Sequence, residues 1–417
     1  MTPSPVPPLR RIVSTPFYRS AFLALFLSGV GVSATMPQLT LFLVRDLGAS
    51  LPVAGLYYLT NLAAPVAGYL IGRLSDRRPN RLGLFRFCAA VGGLGWLAMA
   101  AATEVWMPFV ISVVALSVSG AAMAQVFAAL RDELDRQPTG ADNRMVSTIR
   151  MAFTAGWVLG PVFGTWFGGE FGLRALLVAT AVCTFGQVLP FGRQRVERHL
   201  RRPAGEADPR AAVGRMVPLL VFTGLCVLAM TGDTIKFGYL PLYMADELHL
   251  SDGMRGAVIA VQPLLELALM PFLARCADRY GPLPVLIAGT LLGAGANLAY
   301  ATSSTVVGLF AGQLLTAGLW AALGALGVTI AQHLYPEAVA TASGLFMSAI
   351  TVGAAAGGVI GALGVARFGL PEVFYLPAGL SLVATAGLVV LQRRLGRRPG
   401  AAAAVGAARP GVPVAVD

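Results

Sequence analysis

The chain has 417 residues, of which 56% are hydrophobic and 12% charged, with a formal net charge of +11 and a mean hydropathy of +0.71. A soluble domain carries about 25% charged residues, so this composition excludes one and describes a chain that crosses a membrane many times. No strand-like alternation of apolar and polar residues runs through it, which excludes a transmembrane barrel.

In chain order, residues 1–16 hold five prolines and the pair Arg10-Arg11, and 1–17 reads as a disordered tail. The arginine pair mimics a twin-arginine signal. Eleven further spans follow and no small-residue cleavage site stands out, so the first span reads as an uncleaved helix. Apolar segments then centre on 18–43, 52–72, 83–103, 106–130, 145–168 and 172–192. A connector at 193–216, rich in arginine and containing Pro203 and Pro209, is the longest polar stretch. Six more apolar segments follow at 217–243, 254–274, 282–302, 305–333, 338–365 and 370–391, ahead of a second expected disordered tail at 393–417. Each segment is near the roughly 20 residues that cross a hydrocarbon core as a helix. The expected fold is an all-α membrane protein of twelve transmembrane helices in two pseudo-symmetric six-helix bundles, one over 18–192 and one over 217–392, with the connector as their boundary.

The basic charge is topological. With the N-terminus on the cytoplasmic side, the inner segments hold twenty-six arginines and the outer loops only Arg45, Arg174, Arg255 and Arg367. The positive-inside rule then places both termini in the cytoplasm, and the same distribution removes nucleic acid as a partner. Lys236 is the only lysine, and it falls inside the seventh span. Cys88, Cys183, Cys226 and Cys276 lie in or beside apolar segments without paired spacing, so they read as packing residues, with neither a disulfide nor a metal expected. His199, His249 and His333 fall in loops or at span ends and are assigned no role. No nucleophile–base set has a usable spacing, so the chain reads as neither an enzyme nor a cofactor protein.

Forty-nine glycines sit largely within spans, where small residues let helices approach closely. Gly353, Gly357 and Gly361 form such a face in the eleventh span. A second pattern is a repeated loop: Gly72-Arg73-Leu74-Ser75-Asp76-Arg77 lies between the second and third spans, and a degenerate copy, Ala274-Arg275-Cys276-Ala277-Asp278-Arg279, begins 202 residues later between the eighth and ninth. A short charged loop repeated at half the chain length points to two related bundles and to transport. Gly72 would permit close approach, Asp76 would accept from a helix N-terminus or an arginine, and Arg77 and Arg81 would pair with carboxylates of the other bundle. Together with Asp278 and Arg279, these residues read as a latch that holds one conformation and releases in another.

This loop resembles the cytoplasmic signature of the major facilitator superfamily, although Pro79 replaces the customary glycine in the first copy and Ala274 the leading glycine in the second. In the fifth span, Gly156-Trp157-Val158-Leu159-Gly160-Pro161-Val162-Phe163-Gly164 is similar to the signature of proton-coupled antiporters of that superfamily, which implies export. Longer strings resemble the bacterial sugar efflux transporter family: Gln38-Leu39-Thr40-Leu41-Phe42-Leu43, Tyr57-Tyr58-Leu59-Thr60-Asn61, Gln125-Val126-Phe127-Ala128 with Arg131, Arg150 ahead of Gly156-Trp157, Tyr239-Leu240-Pro241-Leu242-Tyr243 and Leu265-Glu266-Leu267. The resemblance covers about residues 18–395. It implies efflux of saccharides or glycosides driven by proton exchange, from a bacterial cytoplasmic (inner) membrane.

The residues carry a reading of their own. Asp233 and Lys236 are three apart on one helix face and Glu266 lies mid-span in the next helix, at depths where a charge costs several kcal/mol unless it is paired or faces water. Glu266 has no sequence-local partner and is the expected proton-coupling group, with Asp233 and Lys236 beside it. Sugars need flat aromatic faces and side-chain amides. Gln38, Asn61, Gln125 and Gln262, with Tyr57, Trp157, Tyr239 and Trp320, are the candidate substrate contacts; Tyr58 and Gln332 are further members of the same classes. Arg131 and Arg150 either snorkel to the cytoplasm or act as gate and counter-charge. The expected function is secondary active export of sugars or glycoside-like compounds by alternating access, in exchange for protons, by a monomer in the lipid bilayer. The rival is a multidrug:proton antiporter of the same superfamily.

Overall fold

A computed structural model describes residues 8–77, 80–136, 142–196 and 213–396. Among them, twelve long helical segments follow one another. We number them α1 (Pro16–Asp46), α2 (Leu51–Leu56, Tyr57–Leu62 and Ala63–Arg77 in succession), α3 (Arg81–Ala100), α4 (Trp106–Arg136), α5 (Asp142–Phe171) and α6 (Leu173–Phe191). The second set is α7 (Met216–Glu247), α8 (Asp252–Tyr280), α9 (Pro282–Thr302), α10 (Val306–Leu334), α11 (Val339–Phe368) and α12 (Tyr375–Gly396). All but α2 and α5 are long and apolar enough on their described residues to cross a bilayer unaided.

Links between successive helices are short because local chemistry stops each helix sharply. Gly172, between α5 and α6, and Gly281, between α8 and α9, both have φ of 89°, a conformation that costs a residue with a Cβ and lets one glycine reverse the chain. Asn80 and Thr305 cap α3 and α10 by accepting from the backbone N–H of Gly83 and Gly308.

Each bundle has its own core. Phe17, Leu25, Phe85, Leu130 and Phe191 pack together in the first, and Phe222, Leu286, Ile330, Phe346 and Leu388 in the second. The glycine faces position the innermost helices. Gly156, Gly160 and Gly164 of α5 lie against the backbone of α1 around Gly29, Val30 and Ala34, while Gly353, Gly357 and Gly361 of α11 lie against α7 around Met230, Thr231 and Tyr239. Ser33 Oγ donates to Gly156 O at 3.1 Å across the first of these contacts.

The pseudo-symmetry reaches individual turns. The last turns of α1, Phe42–Asp46, and of α7, Tyr243–Glu247, both widen to a π-helix. Leu47 N donates to Phe42 O and Leu248 N to Tyr243 O; Ala49 N donates to Leu43 O and Leu250 N to Met244 O, both at 2.9 Å.

Three segments differ from the sequence expectation. Within the expected tail at 1–17, Pro8–Ser14 is a short helix, because Ile12 and Phe17 have apolar side chains that bury against the first bundle. At the other end, α12 continues through 393–396. The expected connector begins with described residues whose Val196 is buried, and α7's helix extends back to Val213; residues 1–7, 197–212 and 397–417 lie outside the described set.

Candidate functional site

The buried charges of α7 and α8 form one network. Lys236, 2% exposed, donates to Asp233 Oδ1 at 2.6 Å and to Gln262 Oε1, and its ammonium lies 4.2 Å from the centroid of the Phe237 ring. Helical spacing sets Asp233 and Lys236 on one face of α7. Glu266 sits one turn beyond Gln262 on α8, on the same helix face, with Asp233 and Lys236 near enough to act on it electrostatically. The expected Asp233–Lys236 pair is therefore present, but it is one arm of a three-residue chain, Asp233–Lys236–Gln262, that spans two helices.

Aromatic rings flank this chain. Trp157 of α5 packs edge-on against Phe237 with centroids 6.3 Å apart, which brings the first bundle against the charged network of the second. Trp320 of α10 lines a small cavity with Asp233, Lys236, Asn297, Tyr300 and Thr316. Tyr300 and Thr316 bond hydroxyl to hydroxyl at 2.9 Å, and Asn297 Nδ2 donates to Gly293 O at 2.8 Å. The indole N–H groups of Trp157 and Trp320 are buried without a protein acceptor among the described residues. Each is a donor still free for an acceptor, and that of Trp320 belongs to a side chain lining the cavity with Asp233.

Other expected contacts have hydrogen-bond partners within the protein. Gln38 donates to Thr165 Oγ1 at 3.0 Å, tying α1 to α5. Tyr57 bonds the Ser112 hydroxyl and packs edge-on against Tyr58 and Phe109. Gln125 accepts from Ser75 Oγ at 2.6 Å, and Gln332 donates to Ser343 Oγ at 2.9 Å. Tyr239 donates to Leu51 O at 3.2 Å, from α7 to α2. Asn61 is half-buried in the irregular part of α2.

The latch residues divide in the same way. Arg81 pairs with buried Asp132 of α4 and donates to Ser75 Oγ at 2.9 Å, so it braces α2, α3 and α4 within one bundle. A Cβ at Gly72 would meet nothing within 4 Å, so close approach does not require glycine there. Arg77, Asp278 and Arg279 are exposed, the last lying over the Tyr280 ring, as are Arg131 and Arg150; the side chain of Asp76 lies outside the described residues.

The bundles meet at the face opposite the chain termini. Arg45 pairs with Asp246, Gly55 and Gly358 bring α2 against α11, and Gly256 of α8 lies against Val162 and Thr165 of α5. Arg255, only 9% exposed, pairs with Asp252, which itself lies beside Gly169 of α5. None of these opposite-face charges enters the sequence reading as a contact. The one signal they leave is a pair of opposite charges, Arg45 and Asp246, at an interval of 201 residues, one short of the loop repeat.

The model of the Major Facilitator Superfamily matches residues 21–231 and again 221–414. The chain belongs to the Major Facilitator Superfamily. Two separate matches, one per bundle, agree with the two cores. Among similar superfamily proteins, sugar efflux transporter B of Salmonella typhimurium is 28% identical over 377 residues, covering 88% of this chain and 93% of that protein. The multidrug resistance protein MdtG of Dickeya zeae is 26% identical over 382 residues, covering 87% and 91%. The crystal structure of the nucleoside transporter NupG superposes with a TM-score of 0.74 at 15% identity, over 90% of this chain and 98% of that one, and shares the fold. These relatives are transporters rather than enzymes, and this superfamily member is a multi-pass membrane protein.

Proposed function

We propose that this transporter exports sugars or glycoside-like compounds across the bacterial cytoplasmic membrane by alternating access, in exchange for protons. The carrying observation is the buried Asp233–Lys236–Gln262 chain, with Glu266 one turn along α8, Trp320 lining the adjoining cavity and Trp157 of the first bundle packed on Phe237 beside it. Ionisable groups at such depth are costly, pair with one another or face water, and mark substrate and ion pathways. The names of relatives such as sugar efflux transporter B support a saccharide cargo, and the arginine bias supports termini in the cytoplasm. With that orientation the joined face is outer, so this conformation is inward-facing. Glu266 carries the proton; the domain boundaries at 192 and 217 let the bundles rock about the site as a monomer. The similarity to MdtG favours a second reading, export of lipophilic cations.

Proteoliposomes with an imposed pH gradient, offered a saccharide panel and lipophilic cations separately, test both readings. Saccharide accumulation against its gradient is expected; accumulation of cations and of no saccharide would replace the first reading with the second. Glu266→Gln should abolish uphill transport while retaining binding, and unchanged pH-driven transport would remove Glu266 from coupling.

A further inference from the structure

The small cavity between α7, α9 and α10 gathers polar groups from three helices: Asp233 and Lys236 of α7, Asn297 and Tyr300 of α9, and Thr316 and Trp320 of α10. Its volume is about 10 Å³, the lower limit for one water molecule and far below a sugar ring. Two glycines leave that room. A Cβ at Gly232 would stand 2.7 Å from Asn297 Nδ2, and one at Gly293 2.7 Å from Leu319 Cδ2. All lining residues but Asp233 and Trp320 are buried, so these two flank the way in.

Most protons of the wall are already placed. Thr316 Oγ1 donates its single proton to Gly312 O at 2.9 Å, so in its 2.9 Å bond with Tyr300 the phenol is the donor, and the Tyr300 oxygen keeps lone pairs. Asn297 gives one N–H to Gly293 O at 2.8 Å and keeps the other. Asp233 accepts from Lys236 through Oδ1, while its Oδ2 has no hydrogen bond among the described residues. The Trp320 indole N–H is buried with no acceptor among them. Donors and acceptors thus stand side by side, with one positive and one negative charge. A cation would meet Lys236 and an anion would meet Asp233. A hydroxyl, which accepts and donates at one oxygen, satisfies both kinds of group.

We propose that this cavity is a hydroxyl subsite: it takes one hydroxyl of the exported compound, which accepts from Trp320 Nε1–H and donates to Asp233 Oδ2, while the ring stays outside the mouth that these two residues flank. This rests on the reading of the cargo as a saccharide and narrows it, because one position of the sugar must carry a free hydroxyl. Asn297, Tyr300 and Thr316 become specificity-determining residues, since they set the size and polarity of the cavity. A lipophilic cation has no hydroxyl to place there, so the subsite also separates the two readings of the function.

Equilibrium binding to the intact transporter in nanodiscs tests this with methyl glucopyranoside, methyl galactopyranoside and the monodeoxy analogues of each. In the wild type, removal of one particular hydroxyl should weaken binding about tenfold, because the polar groups of the wall are left unpaired, and removal of the others should cost less. Trp320→Phe keeps a ring and deletes the N–H. It should weaken the parent glycoside by a similar factor and leave the analogue lacking that hydroxyl unchanged, so that the two bind alike. Tyr300→Phe, which deletes the neighbouring phenol hydroxyl, repeats the comparison and should narrow the same gap if the tryptophan variant does not fold. A penalty for each missing hydroxyl that is the same in wild type and variants would mean that the cavity holds water only, which overturns the subsite and leaves saccharide export standing. Binding of neither glycoside overturns this inference, and the saccharide reading falls with it where proteoliposomes also accumulate no saccharide.

Discussion

Arg45, in the last turn of α1, and Asp246, in the last turn of α7, form an ion pair that joins the two bundles at equivalent positions of the repeat. Both side chains are about half exposed, so the pair contributes at most about 1 kcal/mol to folding. Its value lies in which conformation it favours. Asp246→Arg sets like charges across the joined face, and spin labels on the α1–α2 and α7–α8 loops should report a wider distance with little change in thermal stability. The swap Arg45→Asp/Asp246→Arg should restore the short distance; equal distances in all three proteins would show that the pair does not hold this face closed.

Removing one partner of the buried pair is a different matter. Lys236→Met leaves Asp233 charged, 19% exposed and without its cation, a loss of about 3–5 kcal/mol. The double variant Asp233→Asn/Lys236→Met removes both charges and should recover most of the melting temperature. A double variant no more stable than the single one would mean that Asp233 finds another partner.

The same logic applies to Arg81 and Asp132 near the terminal face, with side chains 13% and 8% exposed. Arg81→Ala should destabilise the first bundle by about 3 kcal/mol, and adding Asp132→Ala should return part of it, read by thermal unfolding in detergent. If Arg81 instead latched the two bundles, Arg81→Ala would alter the inter-bundle distance and leave stability unchanged.

Glycines separate cleanly by what surrounds them. A side chain at Gly160 would enter the α1 backbone at Val30 and Ala34, and one at Gly357 the α7 backbone at Thr231, so Gly160→Leu and Gly357→Leu should both abolish monodisperse protein in size-exclusion chromatography. Gly72→Ala should be well tolerated and gain up to about 1 kcal/mol of helix propensity, since its Cβ position is open. A misfolded Gly72→Ala would contradict that open space.

The glycine faces show how much was legible before any coordinates. Gly156, Gly160 and Gly164 recur as Gly353, Gly357 and Gly361, 197 residues later, and both sets pack against the first helix of their own bundle. Periodicity announced the faces, but their partners are α1 and α7, which no spacing names. Tyr239 reads as a sugar platform by residue type, and its hydroxyl donates to Leu51 across the bundles. Gln38 and Gln125 likewise read as ligand amides and bond to Thr165 and Ser75.

The sequence alone determined that this chain is a twelve-span, two-bundle membrane protein, because hydrophobicity, charge bias and repeat interval are sums along the chain that the bilayer reads helix by helix. Tertiary structure decided which polar groups bond to which neighbours. A buried amide or hydroxyl bonds whatever lies within about 3 Å, and that neighbour is set by helix packing. So Gln38, Tyr57, Gln125 and Tyr239 bond to neighbouring helices, while Lys236, Asp233 and Gln262, with the unpaired indole of Trp320 beside them, form a buried polar cluster in the second bundle against which Trp157 of the first packs through Phe237.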